Sequence, residues 1–412
     1  MKRVVVTGMG VITPVGNSVD EMWKNCLEGN SGIENLLVKD EKFSKTKTHI
    51  GGVPKDFNPR DYISERKSIK RMEKFSQYAV AAAAQAVAQS GLSREAFHDA
   101  CVSVGVGQGG LEKTYNDIVN FYDDKYKKID PLGVPKIICN MASFWVSKEF
   151  GTTGPTYTPV AACASGGQGI ALGAQAIMLG QTNLAIAGGS EHSVTFPFGT
   201  AMFDRLTALN NSWNDRPKEA SRPFNLDRAG FVAGSGAGML VLEDYDHAIA
   251  RGANILAELV GFGTNADAYD MVAPMACGTG AGKCMEISLK MANCDPSDVG
   301  FINMHGTSTP VGDIAETTAI KRVFGEHSYD LVANSTKSVM GHCIGAAGGI
   351  EAVVTIMSLI NQTATPTINL DNPDPECDLN YSPNRPTKLD TKYGMSNSFG
   401  FGGVNTTLLF KV

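Results

Sequence analysis

Short uninterrupted apolar runs, each closed by glycine, alternate along this chain with helices built from small residues. Val4 to Thr7 reads as a central strand buried on both faces, followed by a glycine turn and a helix over Ser18 to Leu27 that opens with a Ser-Val-Asp-Glu capping pattern. Residues 30 to 65 are polar and irregular. Lys67 to Ser90 predicts one long helix whose second half, Ala79 to Ala88, is almost free of polar residues, as only a helix buried on nearly all sides tolerates. Ala100 to Gly110 predicts a strand running into a glycine turn. Thr158 to Gly180 predicts a short strand ending at Cys163 and then a helix rich in Ala and Gly. Leu184 to Glu191 reads as a further buried strand and turn, 195 to 235 as loop-rich, Phe231 to Leu242 as a strand and Asp244 to Arg251 as a helix.

Ile255 to Phe262 opens a second series of strand, long loop and helix, with strands at Val299 to Asn303 and, last, Asn405 to Phe410. The two series echo each other at one point. Val339 to Glu351 again carries a reactive residue type, His342, at the start of a small-residue helix that continues to about Leu359. Duplication of an α/β unit would bring the two helix N-termini to one centre. The chain divides on this pattern into halves, 1–250 carrying Cys163 and 251–412 carrying two histidines.

At 412 residues, 43% hydrophobic and 19% charged, the chain is long enough for a large two-part globular core. A net charge of -6 gives no general case for nucleic acid or membrane surfaces. Arg66, Lys67, Lys70, Arg71 and Lys74 oppose that average, either as a solvated helix face or as a docking patch for an acidic partner. Nine cysteines without Cys-x-x-Cys spacing read as reduced thiols of a cytosolic protein and predict no metal site. The Val4–Val6 run is too short for a signal peptide, and no stretch approaches the roughly 20 apolar residues of a membrane span. A cytoplasmic protein is expected. Gly105-Val106-Gly107-Gln108-Gly109-Gly110 invites a nucleotide-binding reading, but no phosphate-gripping Lys-Ser/Thr pair follows, and close backbone packing is the better account.

Cys163 is the first candidate for chemistry. At a strand-to-helix junction its sulfur would lie near free N–H groups and the positive end of the helix dipole, which favour thiolate. Its neighbours Ala161, Ala162, Ala164, Ser165, Gly166 and Gly167 leave room for a substrate. The bland alternative is a small buried apolar residue. His305 follows an apolar strand and His342 sits at the second helix start, whereas His49, His98, His247 and His327 stand in polar surroundings and His192 is ambiguous. A papain-like hydrolase would use one histidine and leave the other without a task. Two neutral imidazoles that donate hydrogen bonds suit an enolate formed as a carboxylate is lost.

The segments Ala162-Cys163-Ala164-Ser165-Gly166, His305-Gly306-Thr307-Ser308-Thr309-Pro310, Lys337-Ser338-Val339-Met340-Gly341-His342 and Asn397-Ser398-Phe399-Gly400-Phe401-Gly402-Gly403-Val404-Asn405 resemble, in order, four signatures of the β-ketoacyl-[acyl carrier protein] synthases, synthase II above all. The resemblance spans the whole chain. It implies an α/β thiolase-like fold, two similar halves in a five-layered α-β-α-β-α sandwich, active as a dimer. It implies that Cys163 takes an acyl chain from the phosphopantetheine arm of acyl carrier protein, with the oxyanion between the N–H groups of Cys163 and Phe401. Malonyl-carrier protein then loses carbon dioxide beside His305 and His342, and its enolate lengthens the chain by two carbons as a 3-oxo product. By the same resemblance Lys337 pairs with Glu351, Thr307 and Thr309 contact pantetheine, Phe399 touches substrate and Phe401 is a gate. Arg66, Lys67, Lys70 and Arg71 lie where the family meets its acidic carrier. No cofactor is implied.

Departures bear on the substrate. Gln108 stands where such synthases usually carry an apolar residue at the acyl pocket floor, Val272 and Ala273 replace a Thr-Ser pair, and Ala164 replaces a Thr. Pro375 to Tyr381 and Glu316 to Arg322 resemble ketosynthase α subunits of type II polyketide synthases, which pair with a chain-length-factor subunit. The expectation is therefore a condensing enzyme of fatty acid synthesis, as a homodimer, with a polyketide heterodimer as the alternative.

Overall fold

A computed structural model describes residues 1–193 and 196–412. Its strands, in chain order, are β1 (Val4–Ile12), the small hairpin β2 (Ile33–Asn35) and β3 (Ile50–Gly52), β4 (Cys101–Gly105), β5 (Thr156–Tyr157), β6 (Leu184–Glu191), β7 (Gly236–Asp244), β8 (Ala257–Ala266), β9 (Val299–Asn303), β10 (Val332–Asn334), the short pair β11 (Thr363–Ala364) and β12 (Thr387–Lys388), β13 (Tyr393–Gly400) and β14 (Val404–Lys411).

Ten of them form one sheet in the order β10-β9-β13-β14-β8-β1-β7-β6-β4-β5. The order is symmetrical about its centre. Outward from β1 run β7, β6, β4 and β5, and outward from β8 run β14, β13, β9 and β10, with the same sequence of parallel and antiparallel neighbours. Within the sheet the halves pair at Val5↔Glu258 and Val6↔Ala257.

Alternation along the strands builds the layers. Leu240 and Leu242 of β7 and Leu408 and Phe410 of β14 point into one central core, while Met239 and Val241 face an outer N-terminal core and Leu409 an outer C-terminal one. Two helices, Ser165–Met178 and Ala347–Ile360, fill the central layer and touch strands of both half-sheets. Helix Lys74–Ser90 covers the outer face of β1, β7 and β6, and helix Thr279–Ala292 covers β8 and β14. The five-layered α/β sandwich of the thiolase type is thus present. The central helices cross so closely that a Cβ on Gly348 would lie 2.5 Å from Gly167 N. Their N-termini meet, as the sequence echo required.

Several boundaries differ from expectation. The helix expected over 67 to 90 is two helices, Arg66–Ile69 and Lys74–Ser90, because the Gln77 amide donates to Ile69 O and Met72 O and ends the first. Phe231 to Gly234 makes only isolated bridges, to Leu209, His342 and Gly52 of β3, so the strand expected from 231 begins at Gly236. The loop-rich region from 195 holds a helix, Pro197–Arg205, residue 195 itself lying outside the described residues. Leu184–Glu191 is strand to its last residue. No helix among the described residues is long and apolar enough to cross a membrane.

Candidate active site

Cys163 does not end a strand. Thr158 to Ala161 is extended loop, and the cysteine sits in one 3-10 turn, Ala162–Ala164, immediately before helix Ser165–Met178. Ser165 ties the turn down: its Oγ accepts the Ala161 N–H at 2.9 Å and donates to Ala162 O at 2.7 Å. Ala162 takes a left-handed φ of 47°, and Ile344 in the matching turn of the other half takes 46°. Such strain in a β-branched residue persists only where surrounding packing enforces it. Burial pushes the Cys163 thiol up to about 12, against the pull of the Lys337 ammonium and the Phe401 N–H directed at the sulfur. The resting group is a thiol, not the thiolate expected, because lost solvation outweighs the helix terminus. Attack must therefore pass its proton to a nearby base.

Two bases are in place. His305 lies two residues beyond β9, where buried Glu316 accepts the N–H groups of His305 and Gly306, each at 2.8 Å, and the Asn397 amide at 3.1 Å. His342 does not begin the helix but precedes a 3-10 turn, Ile344–Ala346, and its backbone bridges Val232 O and the Gly234 N–H, each at 2.7 Å. The two rings stand edge to face, 5.2 Å between centroids at 87°. Cys163 Sγ and one nitrogen of each ring lie within 4.8 Å of one another. Burial first and the Lys337 charge second hold both imidazoles well below their ordinary pKa, so they are neutral. His305 Nδ1 and both ring nitrogens of His342 have no hydrogen-bond partner among the described residues. Orphaned polar atoms in a cavity wall imply a ligand with oxygens to receive them.

Lys337 is ion-paired to Glu351, both side chains at most 3% exposed. The pair stands behind the histidines rather than in the cavity lining. The Cys-His-His donor set has the elements of a metal site, but the ammonium that already depresses both imidazoles would repel a cation.

A cavity of about 540 Å³ joins these groups. Phe203, Phe231 and Ile344, packed with Cys163 in one apolar cluster, form an apolar arm of its lining, to which Gln108, Thr307, Thr309, Val272, Ala273, Phe399 and Phe401 also contribute. Thr307 and Thr309 hydroxyls are 3.0 Å apart. Behind them buried Arg228 spans Asp313 at 3.3 Å and Asp374 at 2.7 Å and donates to Thr309 O and Pro310 O, fixing that loop. Arg66, Lys67, Lys70 and Arg71 are exposed, outside the cavity, and in no ion pair among the described residues.

Sequence reasoning missed Glu191, Glu316 and the Arg228–Asp313 pair as parts of the site. The signal available was weak: a carboxylate at the end of a fully buried strand (Glu191) and two in the first turns of helix Pro310–Phe324 (Asp313, Glu316), eight and eleven residues beyond His305.

The sequence model described as "Beta-ketoacyl synthase, N-terminal domain" matches residues 1–248, and "Beta-ketoacyl synthase, C-terminal domain" matches 256–371. The chain is 44% identical to 3-oxoacyl-[acyl-carrier-protein] synthase 2 of Vibrio harveyi over 415 aligned residues, covering all of this chain and 98% of the relative. Among solved structures, a β-ketoacyl synthase from Burkholderia phymatum superposes with a TM-score of 0.92 at 35% identity, covering 100% of this chain and 99% of that one. A ketosynthase bound to a hexaketide, in complex with its type II polyketide acyl-carrier protein, superposes with a TM-score of 0.91 at 31% identity and the same coverage.

Proposed function

Because this chain belongs to the β-ketoacyl synthase family, we infer that it is a 3-oxoacyl-[acyl carrier protein] synthase, an acyltransferase that elongates acyl chains by two carbons in fatty acid synthesis. The observation that carries the residue roles is the convergence of Cys163 with two neutral, unpartnered imidazoles in one cavity.

In the first half-reaction Cys163 attacks the thioester of acyl-carrier protein. Its proton passes through a neighbouring imidazole to the carrier's pantetheine thiolate as that group leaves, so the imidazole ends neutral, and the N–H groups of Cys163 and Phe401 receive the oxyanion. The acyl chain enters the apolar arm. In the second, malonyl-carrier protein binds along Thr307 and Thr309. His305 and His342 donate hydrogen bonds to the oxygen that becomes the enolate as carbon dioxide leaves, and the enolate carbon attacks the acyl thioester, breaking its C–S bond and expelling the Cys163 thiolate, which regains a proton from water. Neutral imidazoles serve here because each can donate one N–H without a fixed charge that would bind the substrate carboxylate more tightly than the transition state. The test is single-turnover transfer of an acyl group to Cys163, followed by chase with malonyl-carrier protein.

The basic face formed by Arg66, Lys67, Lys70 and Arg71 would dock the acidic carrier protein. A dimer is supported by an asymmetry between the pseudo-equivalent sheet edges. Edge strand β10 is bridged at Val332 to Asn380 and buried, whereas β5 is exposed beside Phe144, Tyr157 and Val160. An exposed apolar edge demands a cover. Free thiols at all nine cysteines fit a reducing cytoplasm. Gln108 in the cavity lining favours, as the second reading, oxygenated chains and a polyketide partner subunit; native mass spectrometry of the protein alone and with a coexpressed related subunit separates the two.

A further inference from the structure

Two buried carboxylates flank the centre in equivalent ways. β4 and β9 are equivalent strands of the two halves, and the residues two and three places past each strand end lie in a turn that lines the cavity with Cys163. In the C-terminal half Glu316 holds the consecutive N–H groups of His305 and Gly306. In the N-terminal half Glu191, the last residue of β6 and fully buried, holds those of Gly107 and Gln108 with one oxygen, at 2.8 and 3.0 Å. It also accepts the N–H groups of His192, at 3.4 Å, and Gly345.

The mechanism above uses no carboxylate at Glu191, yet its placement is exacting. A Cβ on Gly107 would lie 2.6 Å from Glu191 Oε2, and one on Gly345 would lie 2.9 Å from the same oxygen and 2.3 Å from Gly107 N. At Gly107 and Gly345 only bare backbone can approach this side chain, whose carboxyl burial pushes up to about 7 against the opposing pull of the N–H groups around it. The turns it joins carry Gln108 and Ile344, both in the cavity lining, and the thiols of Cys139, Cys163 and Cys343 are pushed up by burial first and by the Glu191 charge as a smaller cause. The imidazole of His192 beyond it stands 3.4 Å from Glu112.

We propose that Glu191 is the positioning residue of the acyl arm. It staples the Gly107–Gln108 turn to the Ile344–Gly345 turn, so that the wall receiving the acyl chain keeps its place beside Cys163, while Glu316 does the same for the decarboxylating side. One side of the cavity can then fail without the other. The inference rests on the assignment of acyl transfer to Cys163 and decarboxylation to the histidine pair.

The test compares the two half-reactions in wild type, Glu191→Gln and Gly107→Ala. Acyl transfer from acyl-carrier protein to Cys163 is read by protein mass, and carbon dioxide release from malonyl-carrier protein is read without an acyl donor. Both variants are expected to lose acyl transfer by on the order of 100-fold, the scale of a displacement near 1 Å at a reacting centre, and to keep carbon dioxide release. Parallel loss of both half-reactions, undiminished acyl transfer, or failure of both variants to fold would overturn the proposal, since each makes the carboxylate either a general structural group or dispensable. If wild type itself performs neither half-reaction, the functional assignment fails instead.

Discussion

The rings of His305 and His342 meet at 87° with centroids 5.2 Å apart, in front of a Lys337 ammonium whose charge helps keep both unprotonated. Replacing His305 by Ala removes one of two donors to the enolate without touching the Cys163 turn. Acyl transfer to Cys163 should persist, while carbon dioxide release from malonyl-carrier protein should fall by roughly 100- to 1,000-fold. Unchanged release would overturn the assignment.

The ion pair behind the histidines gives a pH prediction. Lys337→Ala alone strands the Glu351 carboxylate in the core and should destabilise by about 3 to 5 kcal/mol. Replacing both, Lys337→Met with Glu351→Leu, removes that penalty but also removes the charge depressing the imidazoles, so their pKa values rise. Carbon dioxide release should then begin to fall at a higher pH than in the wild type as the solution is acidified, still below the ordinary histidine range because burial, the larger cause, remains. A profile unchanged in the double variant would contradict the electrostatic role of Lys337.

Cysteine reactivity should not follow catalytic importance. Cys277 is exposed, and its hydrogen bond to Thr279, 3.0 Å between Sγ and Oγ1, lowers its pKa, whereas burial raises that of Cys163. Iodoacetamide at neutral pH should label Cys277 first without loss of condensation, and inactivation should track the slower labelling of Cys163. Cys277→Ser should abolish the fast phase and leave turnover intact. Inactivation in step with Cys277 labelling would refute this order.

These features differ in how far the sequence displays them. β9 is legible residue for residue, because Val299–Asn303 is an apolar run between turns. Of the motif residues, Cys163, His305, His342, Phe399 and Phe401 converge on the cavity, while Lys337 stands outside its lining. The break at Lys70–Glu73 is hidden because its cause is the Gln77 side chain folding back on Ile69 and Met72 carbonyls, where helix propensity shows nothing amiss. Glu191 and Glu316 are hidden for a related reason: their ligands are backbone N–H groups, which leave no mark in a sequence. The thiol state of Cys163 depends on burial beyond its own helix and could not be weighed from the helix dipole alone.

Stability should respond to pH through the buried carboxylates with a sign opposite to that of a salt-bridged acid. Burial raises the Glu316 pKa from 4.5 to about 7, so between those values the folded protein holds a proton that the unfolded chain has released, and stability falls as pH rises. His305 and His342 act the other way below 6.5, where the unfolded chain takes up protons they refuse. Glu316→Gln should therefore be less destabilising at about pH 8 than at about pH 5, by up to about 3 kcal/mol, in denaturant titrations at both values. An equal effect at both would show that Glu316 does not titrate in the fold.

Charge reversal at Arg66, Lys67, Lys70 and Arg71 should raise KM for acyl-carrier protein and flatten its salt dependence, with turnover of acyl-pantetheine unaltered. Equal losses on both substrates would place the defect in the site rather than the docking face.

The central claim is that Cys163 carries the acyl chain while the histidine pair releases carbon dioxide from the extender. Intact-mass spectrometry of the protein and carrier, after mixing with acyl-carrier protein and then malonyl-carrier protein, tests it most directly. The account predicts an acyl adduct on Cys163 in the first step, its disappearance in the second with a carrier-bound 3-oxoacyl chain two carbons longer, and neither species in Cys163→Ala. An elongated product from Cys163→Ala, or an adduct on another residue that the extender discharges, would contradict it.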